Sequence, residues 1–179
     1  MGGSQERNRR AGTENVAAAV GLAKAMELAC GEMAQRTTHY RALRDRLLAE
    51  VPARVPLTHV TGALDPERRL ANSFSCCFEF VEGEAVLMAL DLAGIAASSG
   101  SACTSGSLEP SHVLTAMGVS EELARGSLRA TLGKDNTPGE IEQFLDALPG
   151  IIARLRELSP LWRAAAAGAD GSTRQPLAH

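Results

Sequence analysis

Asn72-Ser73-Phe74-Ser75-Cys76-Cys77-Phe78-Glu79-Phe80-Val81 is the stretch that decides the fold. Large apolar residues alternate with polar ones, which is the period of a strand. Phe74, Cys76, Phe78 and Phe80 fall on one face, and Ser73, Ser75, Cys77 and Glu79 on the other. Cys76 and Cys77 therefore point to opposite faces, which argues against a vicinal disulfide or a two-cysteine metal site. A strand with one apolar face needs a covering layer.

The covering layer is legible on both sides. Glu82-Gly83-Glu84 starts a helix that runs to about Leu92, and Ile95-Ala96-Ala97 reads as a short buried strand. Ser127 to Leu132 reads as another strand, and Val55 to Val60 is a candidate for a short one. Thr137-Pro138-Gly139-Glu140 combines a cap, a first-turn proline and a third-position carboxylate. The helix it opens runs to Leu158, with a candidate kink at Pro149-Gly150. Pro110 opens a helix through Val113, Leu114 and Met117, and Ser120 caps a shorter one from Glu121 to Ala124. Upstream, Thr13 is the expected N-cap of a helical region reaching about Glu50, with a candidate break at Cys30-Gly31 and an end set by Pro52 and Pro56. Cys30 lies beside its apolar stripe and is expected in the core. Met1 to Gly12 reads as loop, Asp65 to Arg69 as a turn or exposed loop, and Ala164 to His179 as a disordered tail. Strands alternating with helices give an α/β fold, a small sheet covered by helices.

One stretch resists that packing. Ser98-Ser99-Gly100-Ser101-Ala102-Cys103-Thr104-Ser105-Gly106-Ser107-Leu108-Glu109-Pro110 places one cysteine among small polar residues. It buries little apolar surface, and Ser and Gly favour turns and loops. The reading is an exposed, mobile loop bearing a thiol, for which local physics leaves two alternatives: a reactive thiol, as exposed soft nucleophiles can be, and a bland exposed one.

Composition sets the outer bounds. The chain has 179 residues, 45% of them apolar, 22% charged and only 3% aromatic, with a formal net charge of -3. That is ordinary for a globular domain and gives no support to nucleic-acid binding. No apolar run approaches the length of a membrane span, and Arg7, Arg9 and Arg10 are followed by no signal-peptide core. The four cysteines, Cys30, Cys76, Cys77 and Cys103, lack metal-site spacing and are read as reduced thiols of a cytoplasmic protein.

Several motifs together resemble one family. Ser98 to Ser105 with Leu108-Glu109-Pro110-Ser111-His112-Val113-Leu114 closely resembles the active-cysteine segment of the pyridoxal-phosphate-dependent cysteine desulfurases of the long-loop group. Arg9-Arg10-Ala11-Gly12-Thr13-Glu14-Asn15, Glu82-Gly83-Glu84, Ser127-Leu128-Arg129 with Leu132-Gly133, and Leu158-Ser159-Pro160-Leu161-Trp162 match in the expected order. The resemblance covers about residues 2–163. It implies the class V aminotransferase fold (fold type I), of which this chain looks like the C-terminal half. On that reading residues 1–12 are a remnant of the large domain's active-site edge. Residues 13–163 are the small α/β domain with its leading helices, and residues 164–179 the tail.

The resemblance also implies chemistry. Cys103 matches the nucleophile that takes sulfur from L-cysteine as a persulfide, leaving L-alanine, and passes it to an iron–sulfur scaffold protein or another sulfur acceptor. The same thiol would be a transient ligand of iron–sulfur cargo; no resident metal is implied. Arg129 matches the arginine that holds the substrate carboxylate, where a planar fork suits two oxygens. Read without the family, Arg129 is a strand arginine reaching solvent or a carboxylate. Thr13 matches a residue whose hydroxyl reaches the cofactor phosphate of the neighbouring subunit in a homodimer. His112 is close to Cys103 in sequence, but an exposed helix histidine is the plainer reading. The family's cofactor-binding lysine motif matches neither Lys24 nor Lys134, the chain's lysines. The chain alone is therefore expected to be inactive. The alternative is a cofactor-free persulfide carrier or binding module.

Overall fold

A computed structural model of the protein describes residues 2–99 and 111–169. Cys103 and Pro110 lie outside the described residues. The chain divides into two compact units, Met1–Thr38 and His39–His179.

The first unit opens with a small antiparallel hairpin, β1 (Ser4–Gln5) and β2 (Arg10–Ala11), where the sequence suggests loop. Gly12 N–H donates to the Gly3 carbonyl at 2.7 Å to close it. Strands of two residues carry no alternation, so the pattern could not announce them. Helix α1 (Val16–Arg54) follows. Its cap is Asn15 and not the expected Thr13: Asn15 Oδ1 accepts from Ala18 N–H at 3.0 Å. Both are cap-forming types, and Asn is the better of the two.

Helix α1 is continuous through Cys30-Gly31 and passes Pro52 before ending at Arg54. A proline in the last turn removes only one intrahelical bond, so the helix runs slightly beyond the expected limit. No residue from 2 to 38 is buried. Val16, Val20, Leu22, Met26 and Met33 are each more than half exposed, and Cys30 is exposed too, against the expectation of a core position. The burial habit of free cysteine needs a second layer, and no described residue supplies one over Cys30.

The second unit is built on a three-stranded antiparallel sheet in the order β3 (Thr58–Val60), β4 (Ser73–Phe78), β5 (Ser127–Thr131). The register pairs Cys76 with Leu128 and Ser75 with Arg129. Phe74, Cys76, Phe78 and Leu128 are buried at 0 to 1% exposure. They meet Leu43, Leu47 and Val51 of α1 and Val86 and Leu90 of α2 (Gly83–Leu92). The same core takes Ile141, Phe144, Leu145, Leu148 and Ile152 of α5 (Pro138–Leu158), a run at helical spacing. Cys77 points the other way, as the alternation requires, into a smaller cluster with Leu114 of α3 (His112–Ala116) and Ala124 of α4 (Glu121–Arg125).

In this unit two expected caps hold. Ser120 Oγ accepts from Leu123 N–H at 3.3 Å, and Thr137 with Glu140 forms a reciprocal capping box on α5. Three expectations give way. Ile95-Ala96-Ala97 is not a strand; the chain touches the sheet only at Ser98, which exchanges backbone bonds with Arg129 at 2.6 and 2.9 Å. Ile95 and Ala97 pack against the core with their side chains alone. Phe80 leaves the strand with φ +66° and packs edge-on against Trp162, ring centroids 5.5 Å apart. Arg156 fixes that departure: it donates to the carbonyls of Glu79 at 3.1 Å and Pro56 at 2.8 Å, and lies 5.4 Å from the Trp162 ring. Finally, α6 (Pro160–Ala169) extends into the alanines expected as tail, since alanine is the best helix former.

Two glycines test the packing in opposite directions. A Cβ at Gly126 would lie 2.1 Å from the Phe78 carbonyl oxygen, while at Gly31 nothing lies within 4 Å. Gly126→Ala should lower unfolding stability by about 2 kcal/mol or more, as for other overpacked sites. Gly31→Ala should raise it by up to about 1 kcal/mol through helix propensity. Urea unfolding of the two variants checks both signs. The exposed apolar side chains of α1 give a second expectation: the chain binds a hydrophobic dye or self-associates. A monomer by sedimentation without dye binding would contradict it.

Candidate functional site

The face of the sheet turned away from the main core is mixed: Cys77 packs there against Leu114 and Ala124, and polar side chains occupy the rest. Ser73 and Ser75 of β4 and Arg129 of β5 lie on it, as the register demands. Together with Thr61 they line a pocket of about 280 Å³. Thr61 Oγ1 donates to Ser75 Oγ at 2.8 Å. The loop after β3 is folded against this face by Arg69, whose guanidinium donates to the carbonyls of Thr61 at 2.6 Å and Ala63 at 2.8 Å. Gly62 allows the turn, with φ +86° and the Arg69 guanidinium 3.3 Å from where a Cβ would stand. Behind Arg69 lies Arg44, fully buried, bonded to Asp45 at 2.7 Å and to the Leu70 carbonyl at 3.2 Å. Burial, and secondly the charge of Arg44, push the Arg69 pKa below its ordinary value.

The structure anchors both ends of the cysteine-bearing stretch at this pocket. Ser98 is bridged to the Arg129 backbone, and Arg129 Nη2 reaches Ser98 Oγ at 3.4 Å. On the far side Ser111, 3% exposed, stands in the pocket wall, and its carbonyl accepts from the Thr115 N–H and hydroxyl at 3.1 and 3.0 Å. Cys103 lies between these anchors in sequence, outside the described residues. Arg129 is half-buried and meets no carboxylate among the described residues. The pocket has a fork of donors and, among the described residues that line it, no acid.

Other residues singled out in the sequence fall elsewhere. Thr13 is exposed in the first unit, its carbonyl accepting from Arg10 Nη2 at 2.9 Å. A hydroxyl just before a helix start suits a phosphate oxygen. His112 is exposed and has no described hydrogen-bond partner, so nothing places it as a base. Lys24 pairs with Glu27 at 3.0 Å and Lys134 with Asp135 at 3.1 Å, both on the surface. A lysine that forms a Schiff base needs desolvation or a cationic neighbour to free its amine. These two have water and an acid, so neither fits a pyridoxal phosphate anchor. Among the described residues no cluster of three or more His, Cys, Asp or Glu side chains could hold a metal ion, and no helix is long and apolar enough to cross a membrane.

Sequence reasoning missed Thr61, Arg68, Arg69 and Ser75 as parts of the site. Nothing local marks them: the loop of residues 61–70 reads as surface until the sheet brings it to Arg129.

The thiols separate by environment. Burial pushes Cys77 up to about 11, and burial followed by its neighbour Cys77 pushes Cys76 well above the ordinary thiol value. A chain carrying Cys30→Ser and Cys103→Ser should therefore show almost no thiolate absorbance below about pH 10 in the native state, and the full signal once unfolded. Early ionisation of the double variant would mean that the sheet does not bury this pair.

Comparison with known proteins gives a consistent result. The family model described as "Aminotransferase class-V" matches residues 3–144. The chain is 54% identical over 170 residues to a cysteine desulfurase of Gluconacetobacter diazotrophicus, covering 95% of this chain and 42% of that protein. It is 51% identical over 161 residues to the cysteine desulfurase NifS of Azotobacter vinelandii, covering 90% and 40%. A solved structure titled as a NifS-like protein superposes with a TM-score of 0.73 at 34% identity, covering 86% of this chain and 38% of that one. The chain thus spans about two fifths of the length of these relatives.

Proposed function

This chain belongs to the class-V aminotransferase family, and from that membership we propose that it is the C-terminal, sulfur-accepting part of a pyridoxal-phosphate-dependent cysteine desulfurase. The observation that carries the reading is the anchoring of the Cys103 stretch, at Ser98 and Ser111, on a pocket that Arg129 lines and that has no acid among its described residues.

The roles follow from the chemistry of each group. Arg129 holds the carboxylate of L-cysteine through its planar fork, where among the described residues it has only a neutral hydroxyl to displace. The Cys103 thiolate attacks the substrate sulfur. A sulfur–sulfur bond forms, the carbon–sulfur bond breaks, and its electron pair stays with carbon, which gains a proton to give L-alanine. The persulfide then passes to an iron–sulfur scaffold protein or another sulfur acceptor. Neither lysine of the chain fits the cofactor link, so no step at the cofactor is assigned to these residues. Thr13 contributes at most a hydroxyl to the cofactor phosphate of a neighbouring subunit. A cytoplasmic homodimer is part of the same proposal, and the bare apolar side chains of α1 suit burial in such an assembly.

Two experiments test this reading. Pyridoxal phosphate added to the chain alone should leave no borohydride-fixed adduct on Lys24 or Lys134; a stoichiometric adduct on either would overturn the assignment. Combined with the remaining portion of a cysteine desulfurase carrying its cofactor, the chain should form a persulfide from L-cysteine. Cys103→Ser should abolish that product, and Arg129→Gln should raise KM for L-cysteine by about tenfold or more, the loss of a charge-assisted pair. Transfer of the outer sulfur of a persulfide donor onto Cys103 without cofactor, with the donor released as its thiol, would instead favour the carrier alternative.

A further inference from the structure

The pocket beside Arg129 holds more positive charge than one carboxylate requires. Arg68, Arg69 and Arg129 line it, and no Asp or Glu does among the described residues. These three guanidiniums are not equivalent. Arg69 is committed to the carbonyls of Thr61 and Ala63. Among the described residues, the Arg129 guanidinium has only the Ser98 hydroxyl at 3.4 Å. The Arg68 side chain is exposed at the rim, with no hydrogen bond or ion pair among the described residues. The neighbouring acids are engaged elsewhere: Asp65 accepts from Glu67 N–H at 3.0 Å, and Glu67 pairs with Arg41 at 3.3 Å. Two forks that meet no carboxylate among the described residues, with the Ser73 and Ser75 hydroxyls of β4 in the same small pocket, make a site short of two negative charges.

We propose that this pocket binds small dianions, dicarboxylates of about four carbons, with Arg129 taking one carboxylate and Arg68 the other. The inference rests on the reading of Arg129 as a carboxylate holder. A volume of about 280 Å³ is too small for most drug-sized ligands but ample for such a molecule. Because the dianion shares Arg129 with the amino-acid substrate, it competes with L-cysteine for that fork. Arg68 is then a specificity-determining residue: it favours a second acidic group that L-cysteine lacks.

The test compares succinate with propionate, each titrated into the full chain at fixed ionic strength so that screening is constant. Arginine side-chain NMR signals report the occupied guanidiniums. Succinate should bind tighter than propionate by about threefold to tenfold, the range between a rim ion pair and a charge-assisted bond. Arg68→Gln should remove that preference while propionate binding persists, and Arg68→Lys should keep part of it. Circular dichroism of each variant checks that the fold is retained. Equal affinity for the two ligands, or an unchanged preference in Arg68→Gln, would overturn the dianion site and leave the role of Arg129 standing. If neither ligand perturbs the Arg129 signal, the carboxylate reading of Arg129 falls as well.

Discussion

The second unit depends on the two-residue period of β4. Because successive side chains point to opposite faces, one central strand of six residues serves two environments. Phe74, Cys76 and Phe78 hold the helical layer of α1, α2 and α5. Ser73 and Ser75 face the pocket, and the register carries Arg129 to that same face opposite Ser75. A slip of one residue would drive Arg129 into the core and expose Leu128, an exchange costing several kcal/mol in desolvated charge and lost apolar burial. The alternation therefore fixes the pocket face and the core at once.

Arginine does most of the polar work around that sheet, in two distinct ways. Arg44, Arg69 and Arg156 are spent on backbone carbonyls of loops that no ladder satisfies. Each spans several acceptors with one planar group, which lysine could not do. These contacts hold the segments around residues 57, 62 and 80, where positive φ values bend the chain away from regular structure. Arg129 and Arg68 make no such bonds, and the contrast within one small region separates scaffold from site.

Much of this is legible in the sequence where a period or a cap carries it. The alternation in β4, the stripe of α5, the Thr137–Glu140 box and the Ser120 cap are local signals, and the structure reproduces each. The misses share a physical cause, since they depend on distant partners. Phe80 continues the alternation in sequence yet is turned out by Arg156 from the far end of α5. Cys30 has the stripe of a core residue but no described layer over it. Ile95 to Ala97 has strand composition but forms no ladder; the chain meets the sheet through the single bridge of Ser98 to Arg129. In the site, Arg129 was marked by its motif, whereas Arg68, Arg69 and Thr61 come together only through the fold.

The functional account turns on Cys103 as the thiol that meets sulfur, with Cys76 and Cys77 serving the packing and Cys30 a helix surface. Competitive alkylation of the native chain with a limiting reagent, followed by peptide mapping, tests this most directly. The account predicts that Cys103 is modified first, ahead of Cys30, while Cys76 and Cys77 remain protected until unfolding. Labelling of Cys77 or Cys30 ahead of Cys103 would contradict it.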